Sequence, residues 1–550
     1  MKNSTTKLIR IQLAKNRLSP VVKATQIWSF SKWLLVALFV FLMPAICGAE
    51  DIYISQTASG GDTGVDSANA HSVAWLNTAG NWGDGADKIS AGDTAHLCGT
   101  FTGTAGNTMI TIPGNGASEN YVTILFEADA KLTAPYWGVT GAIALGNHSY
   151  IEIDGGTNGV IDATDNGTEL TYDQESFGIT SNGASNIKIH DLIIENMYVH
   201  TFGSEDKGTY YAVAIWGISS GYFGSNIEVY NMTVHDCGTF FAIGGMTSSV
   251  SNWKIHDNEV YNFLDGMFIN TYSNYTIDGL EIYNNHLYDC SMGGAAPPYH
   301  LHTDGMQLAA YPNGNYTNLK IYNNEFSGIG WEFPDGQKTT TGFIFLDGHG
   351  GTSFSGVQIY NNLFHPSCSP QALTPSGGFI HMQNPNASGN IHIYNNTFVG
   401  CWNEGDGGNG IAARGIEGNA TGIIIKNNIF KNMSMICYAT GTPVSESTNN
   451  LYIGSRSDVV YYNSAYRSWS YWTDTLGFGA NSLYNTDPSL DANYKPDASD
   501  DPVVGAGTNL SGTFSTDKDG ESRLQSAAWT LGCYELTQRP RSPNNFRTLP

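Results

Sequence analysis

Eight segments of this chain align without a gap, and that repeat limits what the chain can fold into more than any other feature. They are Ile187-Lys-Ile-His-Asp-Leu-Ile-Ile, Ile227-Glu-Val-Tyr-Asn-Met-Thr-Val, Trp253-Lys-Ile-His-Asp-Asn-Glu-Val, Leu280-Glu-Ile-Tyr-Asn-Asn-His-Leu, Leu319-Lys-Ile-Tyr-Asn-Asn-Glu-Phe, Val357-Gln-Ile-Tyr-Asn-Asn-Leu-Phe, Ile391-His-Ile-Tyr-Asn-Asn-Thr-Phe and Ile423-Ile-Ile-Lys-Asn-Asn-Ile-Phe. Residues 151–154, Ile-Glu-Ile-Asp, read as a degenerate earlier copy. Apolar first and third positions alternate with polar ones, which describes a strand buried on one face. The Asn pair turns the chain, because Asn tolerates left-handed backbone angles and bonds its own backbone. The eighth position is apolar again and opens the next short strand. Successive units start 26 to 40 residues apart, which is room for one coil of several strands with loops of unequal length.

A chain of 550 residues is long for one compact core. A solenoid escapes that limit, since each repeat packs only on its neighbours. The 64 Gly and the low 13% of charged residues suit such a turn-rich all-β protein. The columns of the alignment specify its interior. Asn258, Asn285, Asn324, Asn362, Asn396 and Asn428 share one position and are expected to bond from coil to coil as an Asn ladder. Phe326, Phe364, Phe398 and Phe430 are expected to stack inside. Three residues beyond the Phe column, Cys237, Cys290 and Cys401 alternate with Met197, Phe263, Ile329 and Met433, so they read as buried thiols.

The first 49 residues read as an export signal. Lys2, Lys7, Arg10, Lys15, Arg17, Lys23 and Lys32 make a basic leading region, Trp33 to Met43 an apolar run, and Cys47-Gly48-Ala49 a small-residue cleavage site. The run is short for a membrane span, so cleavage near Ala49 and a secreted or cell-surface location are expected, with no membrane partner afterwards. Cleavage removes seven basic and no acidic residues, which takes the net charge from −24 to −31. That balance lacks the basic footprint of a nucleic-acid binder. Seven cysteines remain, an odd number that argues against a complete disulfide framework.

These units resemble the repeat of the right-handed parallel β-helix proteins of the pectate-lyase-like superfamily, which are secreted and act on polysaccharides. Gly92-Asp-Thr-Ala-His-Leu-Cys-Gly-Thr-Phe is similar to that superfamily's common first coil. Thr516-Asp-Lys-Asp-Gly-Glu-Ser-Arg and Trp529-Thr-Leu-Gly-Cys-Tyr-Glu resemble its closing segment. The resemblance covers roughly residues 50–536 and implies an all-β right-handed parallel β-helix, one elongated domain with capped ends. The expected layout is a signal peptide over 1–49, an N-terminal cap and first coils over 50–120, the β-helix over 121–440, C-terminal coils and closing segment over 441–540, and a tail over 541–550. The fold carries lyases, hydrolases, epimerases and adhesins alike, so it leaves the activity open.

Between the repeat units lies a second strand per coil, with copies at Val213-Ala-Ile-Trp, Met267-Phe-Ile-Asn, Met306-Gln-Leu-Ala, Ile344-Phe-Leu-Asp, Ile380-His-Met-Gln and Ile411-Ala-Ala-Arg. With first and third residues inward, one outward column is Ala214, Phe268, Gln307, Phe345, His381 and Ala412. The other is Trp216, Asn270, Ala309, Asp347, Gln383 and Arg414. Such a wall mixes rings for sugar stacking with amides for sugar hydroxyls. Two of the coils are about a dozen residues longer than the shortest, at Ser291 to Thr303 and Gly328 to Thr340, and solenoid insertions gather on the binding face. Asp265-Gly266 and Asp304-Gly305 hold matching places in adjacent coils, either as Asp-Gly turns or as a carboxylate pair for calcium or for acid–base work. His300, His302 and His349 lie near them in sequence. Thr303-Asp304-Gly305 and Gly348-His349-Gly350 resemble fragments of polygalacturonase-type hydrolases, but the intervening Asp-Asp and the following Arg-Ile-Lys are missing, so that mechanism does not carry over.

The expected partner is an extracellular polysaccharide. The expected chemistry rests on Asp304, Asp347, His381 and Arg414, with Trp216, Phe268, Asn270, Gln307, Phe345 and Gln383 holding sugar, and Asp265 and Asp304 holding calcium if a metal is used. β-Elimination of a uronate polymer is the leading reading, with a cation on the substrate carboxylate and a base for the C5 proton. A glycoside hydrolase with two carboxylates is the alternative. A glycan-binding or adhesive surface protein without chemistry is the third.

Overall fold

The computed structural model describes residues 49–199, 212–217, 223–272, 274–289, 304–328, 342–348, 353–365, 378–383, 391–400, 414–418, 420–439, 441–454, 456–497 and 501–536, with the backbone of Glu205–Asp206 and Gly294–Ala295. The export signal, Cys290, Cys401, Ala412, His300, His302 and His349 lie outside the described residues. No helix among the described residues is long and apolar enough to cross a membrane.

Every repeat unit is a strand, and the eight form one parallel file. Ile189, Val229, Ile255, Ile282, Ile321, Ile359, Ile393 and Ile425 pair in succession. The file continues upstream through Ile153, Ile124, Ala95 and Ile52, so stacking already includes Asp51–Ser55. The first and third residues of each unit are buried, as period-two alternation requires. Two further parallel walls follow in each coil, and a strand–crossover–strand connection of this kind is right-handed. The fold is a right-handed parallel β-helix.

The first residue of each Asn pair bends the chain and the second locks the coils together. Asn284, Asn323, Asn361, Asn395 and Asn427 all have φ between 49° and 60°, the left-handed region that Asn tolerates better than other side-chain-bearing residues. The next residues are buried and bonded. Nδ2 of Asn258, Asn285, Asn324, Asn362, Asn396 and Asn428 donates to Oδ1 of the ladder Asn in the following coil at 2.8–3.1 Å, ending on Asn450. Nδ2 also donates to a carbonyl one coil back, as from Asn362 to Ile321 at 2.9 Å. Oδ1 also accepts the backbone N–H of the preceding ladder residue, as from Asn324 to Asn362 at 3.0 Å. Beside the ladder, Phe326, Phe364, Phe398 and Phe430 stack with centroids 4.8–5.1 Å apart. Cys237 is fully buried and pairs with Phe263, and burial pushes its thiol far above the usual range.

The closing segment runs along the side of the last coils. Its backbone carbonyls at Ala506, Thr508, Thr530 and Thr516 accept from Asn449, Asn427, Asn395 and Asn361, the left-handed turn residues. Buried Arg523 ties it together, bonding Glu535 at 2.9 Å and Asn361 Oδ1 at 2.8 Å. The closing motif therefore has a structural task here.

Asn362→Ala removes a rung whose donors and acceptor are all engaged and takes one bond from the amide on either side. It should cost about 1–3 kcal/mol in denaturant unfolding. A change within error would mean that the ladder does not hold the coils.

Candidate functional site

One wall carries the outward residues. Its strands include Ala212–Gly217, Thr233–Ile243, Glu259–Thr271, Met306–Ala310, Ile344–Gly348, Gly378–Gln383, Arg414–Gly418 and Met435–Tyr438. Its central file is Trp216, Ala242, Phe268, Gln307, Phe345, His381, Glu417 and Tyr438, each paired with the next. Two residues further along the strands run Asn270, Ala309, Asp347 and Gln383. Three residues before the central file lie Asp265, then Asp304 and Gly342 in the next two coils, then Gly378 paired with Arg414. This third file leans onto the central file of the following coil. A Cβ added to Gly342 would stand 3.1 Å from His381 Cβ, and one on Gly378 3.0 Å from Glu417 Cβ.

Phe268, Gln307, Phe345 and His381 thus share one file, and Asn270, Asp347 and Gln383 another, as expected from the sequence. Three expectations are corrected. Trp216 belongs with Phe268 and not with Asn270, because the strand of the intervening coil, Phe241-Ala-Ile, separates them. Ala214 is fully buried. Arg414 begins its strand and pairs with Gly378, so it stands five residues from the place beside Gln383, and Glu417 is the partner of His381. Glycines at inward positions, Gly217 and Gly418, interrupt the apolar alternation and hide the true register. Glu417 and Tyr438 were missed for that reason.

The middle of the wall is covered. Asp304, Asn270, Phe345, Asp347 and Gln307 are all buried, with Asp304 at 0% exposure. Gln307 Nε2 donates to Asp347 Oδ2 at 3.0 Å, and Gly342 N–H donates to Asp304 Oδ1 at 2.7 Å. The two ends are more open: Trp216 and Phe268 at one, and His381, Gln383, Arg414, Glu417 and Tyr438 at the other. Trp216 lies across the next coil, where Ala242 and Gly244 leave room for it. A Cβ on Gly244 would fall 2.8 Å from the indole Cη2. Phe177 flanks it at 5.6 Å between centroids.

At the other end, Arg414 bonds Glu417 at 2.6 Å and places its guanidinium 3.8 Å from the Tyr438 ring centroid. Burial raises the Glu417 carboxyl above its ordinary range, against the pull of Arg414. The Phe345 and His381 rings meet edge to face at 5.0 Å.

Asp265 is also pushed well above the carboxylate range, by burial first and then by Asp304 in the adjacent coil. Its Oδ1 is buried and unbonded. A carboxylate pair of this kind takes a proton or a cation. Calcium wants six to eight oxygens, more than these two side chains supply. A second cluster, Asp154, His190 and Asp191, brings its ligand atoms within 4.8 Å of one another. There His190 Nδ1 is bonded to Asp191 at 2.6 Å and the ring stacks on Tyr230, which makes it part of the outer ladder of the repeat units.

No family model and no curated protein matches the chain. Among solved structures, a lacto-N-biosidase from Eubacterium ramulus is 12% identical over 75% of this chain and 67% of its own, with a TM-score of 0.45. An alginate lyase is 12% identical over 74% of this chain, which spans 50% of that protein, with a TM-score of 0.42. A rhamnogalacturonan lyase is 13% identical over 82% of this chain and 95% of its own, with a TM-score of 0.39. The fold rests on the strand pairing described above and not on these likenesses.

If a proton occupies the Asp265–Asp304 pair, the folded state holds it more tightly than the unfolded chain. Stability is then greatest at low pH and is lost as pH rises through the raised pKa. Asp265→Asn should therefore raise the melting temperature at neutral pH, and the gain should shrink toward pH about 4, the ordinary carboxylate range. A melting temperature lowered by chelator in the parent protein, and lowered by Asp265→Asn, would instead mean a bound cation.

Proposed function

We propose that this is a secreted protein that binds an extracellular polysaccharide at the open ends of the outward wall and hydrolyses it at the end formed by His381, Arg414 and Glu417. The observation that carries the reading is Glu417. It is a half-buried carboxyl held above its ordinary range, on an accessible part of the wall, with His381 in the adjacent coil. A carboxyl that holds its proton more tightly than usual is better fitted to protonate a glycosidic oxygen as a general acid. Asp347 is the second carboxylate. It lies two coils before Glu417 and two residues further along the strands, so strand geometry sets the two backbone positions about 12 Å apart. Inversion uses two carboxyls roughly 6.5–9.5 Å apart with a water between them, so in this reading the Asp347 and Glu417 side chains close part of that span around the sugar. Gln307 orients Asp347 through the bond at 3.0 Å. Arg414 supports Glu417 and sets how far its pKa rises. Trp216 and Phe268 bind sugar rings, and Gln383 bonds their hydroxyls.

β-Elimination is the second reading, and the Asp265–Asp304 pair favours it. If that pair, with further oxygens from water or substrate, held calcium, Asp265 and Asp304 would be its ligands and it would supply charge neutralisation for a uronate carboxylate, while His381 or Arg414 would take the C5 proton.

The test is incubation of the protein with a polysaccharide panel, followed by reducing ends and by the ultraviolet absorbance of unsaturated ends. Hydrolysis should give reducing ends without that absorbance, in chelator, with inversion seen by NMR. Turnover should fall as pH rises through the Glu417 pKa, since the acid must be protonated. Glu417→Gln should lower kcat by at least about 100-fold with the fold retained by circular dichroism. Calcium-dependent unsaturated products would select the second reading.

A further inference from the structure

We infer that the polysaccharide this wall takes is an uncharged one, an inference that rests on the glycan-binding reading above. The reason is the charge the wall presents. Four carboxyl groups lie along its three files, Asp265, Asp304, Asp347 and Glu417, and even with one proton shared by the Asp265–Asp304 pair and one on Glu417 two negative charges remain. Among the described residues of those files the one fixed positive charge is Arg414. Both of its binding modes are already engaged, the guanidinium by Glu417 at 2.6 Å and its face by the Tyr438 ring. A polyuronate carries a carboxylate on every sugar, and coils repeat every ~4.8 Å, so each sugar would meet another acidic or neutral coil. Its recognition calls for Arg or Lys aimed at those carboxylates. The whole chain adds to the repulsion, with 49 Asp and Glu against 25 Lys and Arg.

What the wall does offer suits hydroxyls and C–H faces. Trp216 is laid over a coil whose outward residues are Ala242 and Gly244, a close fit that holds the indole in place, with Phe177 and Phe268 beside it. Gln383 is exposed at the other end. Ring stacking and amide bonding give affinity that does not depend on charge, and therefore affinity that salt does not screen.

Native gels cast with single polymers test this with the intact protein. The probes are a neutral glucan, a xylan, a mannan, polygalacturonate and alginate, each with calcium or with chelator, at low and high salt. We expect retardation by at least one neutral polymer, unchanged by chelator or salt and weakened about tenfold by Trp216→Ala. We expect no retardation by either polyuronate in chelator. Should Trp216→Ala fail to fold, Gly244→Val is the second variant, since it displaces the indole without removing it. Retardation by a polyuronate in chelator overturns the inference and leaves the glycan reading intact. Retardation by a polyuronate only with calcium also overturns it and supports the lyase reading. Indifference to all five polymers removes the glycan reading and the inference with it.

Discussion

The buried asparagine ladder is the interaction on which the other features depend. An amide in an apolar interior must place two donors and an acceptor or lose the cost of their desolvation. In this chain each ladder amide places all of them across coil boundaries, on the amide of one neighbour and a carbonyl of the other. A slip of one residue between coils would break several such bonds together and turn the strand's apolar face outward. The loops absorb what the ladder forbids. Coils of 27 and 39 residues, from Asn258 to Asn285 and from Asn285 to Asn324, close on rungs of 2.8 and 2.9 Å. Insertions therefore change the surface and leave the register alone.

The repeat wall was legible because three signals coincide there: period-two alternation, the Asn pair, and an apolar eighth position. Where the Asn pair is absent, as at Ile52, Ala95 and Ile124, the strands still join the file but left no pattern that an alignment of the units would detect. The outward wall was legible in its middle, from Phe268 to His381, where inward residues are Met, Ile or Leu. It was misread at both ends. Gly217 and Gly418 occupy inward positions there, and a glycine carries no hydrophobic mark by which to count. One miscounted glycine cost the pairing of His381 with Glu417, although Glu417 stands only three residues from Arg414 in the chain.

The ladder also explains why one file can hold Ala242, Phe268, Gln307, Phe345, His381 and Glu417 in consecutive coils. Outward side chains take no part in fixing the register, so their identity is free of that constraint. Charge is the constraint that remains, because like charges directly opposite on neighbouring strands destabilise a sheet. On the repeat wall the chain obeys it: Glu152 faces Lys188, Glu228 faces Lys254, and Glu281 faces Lys320, with the last pair at 2.8 Å.

Asp265 and Asp304 break that rule in the interior of the outward wall. They occupy one register position in adjacent coils, where burial makes their repulsion stronger than at a surface. No ladder bond requires a carboxylate there, and Gly342 and Gly378 hold the same register position in the coils that follow. A local rule broken where nothing in the architecture demands it is the mark of a position kept for chemistry. A shared proton or a bound cation is what would let this pair persist in the fold.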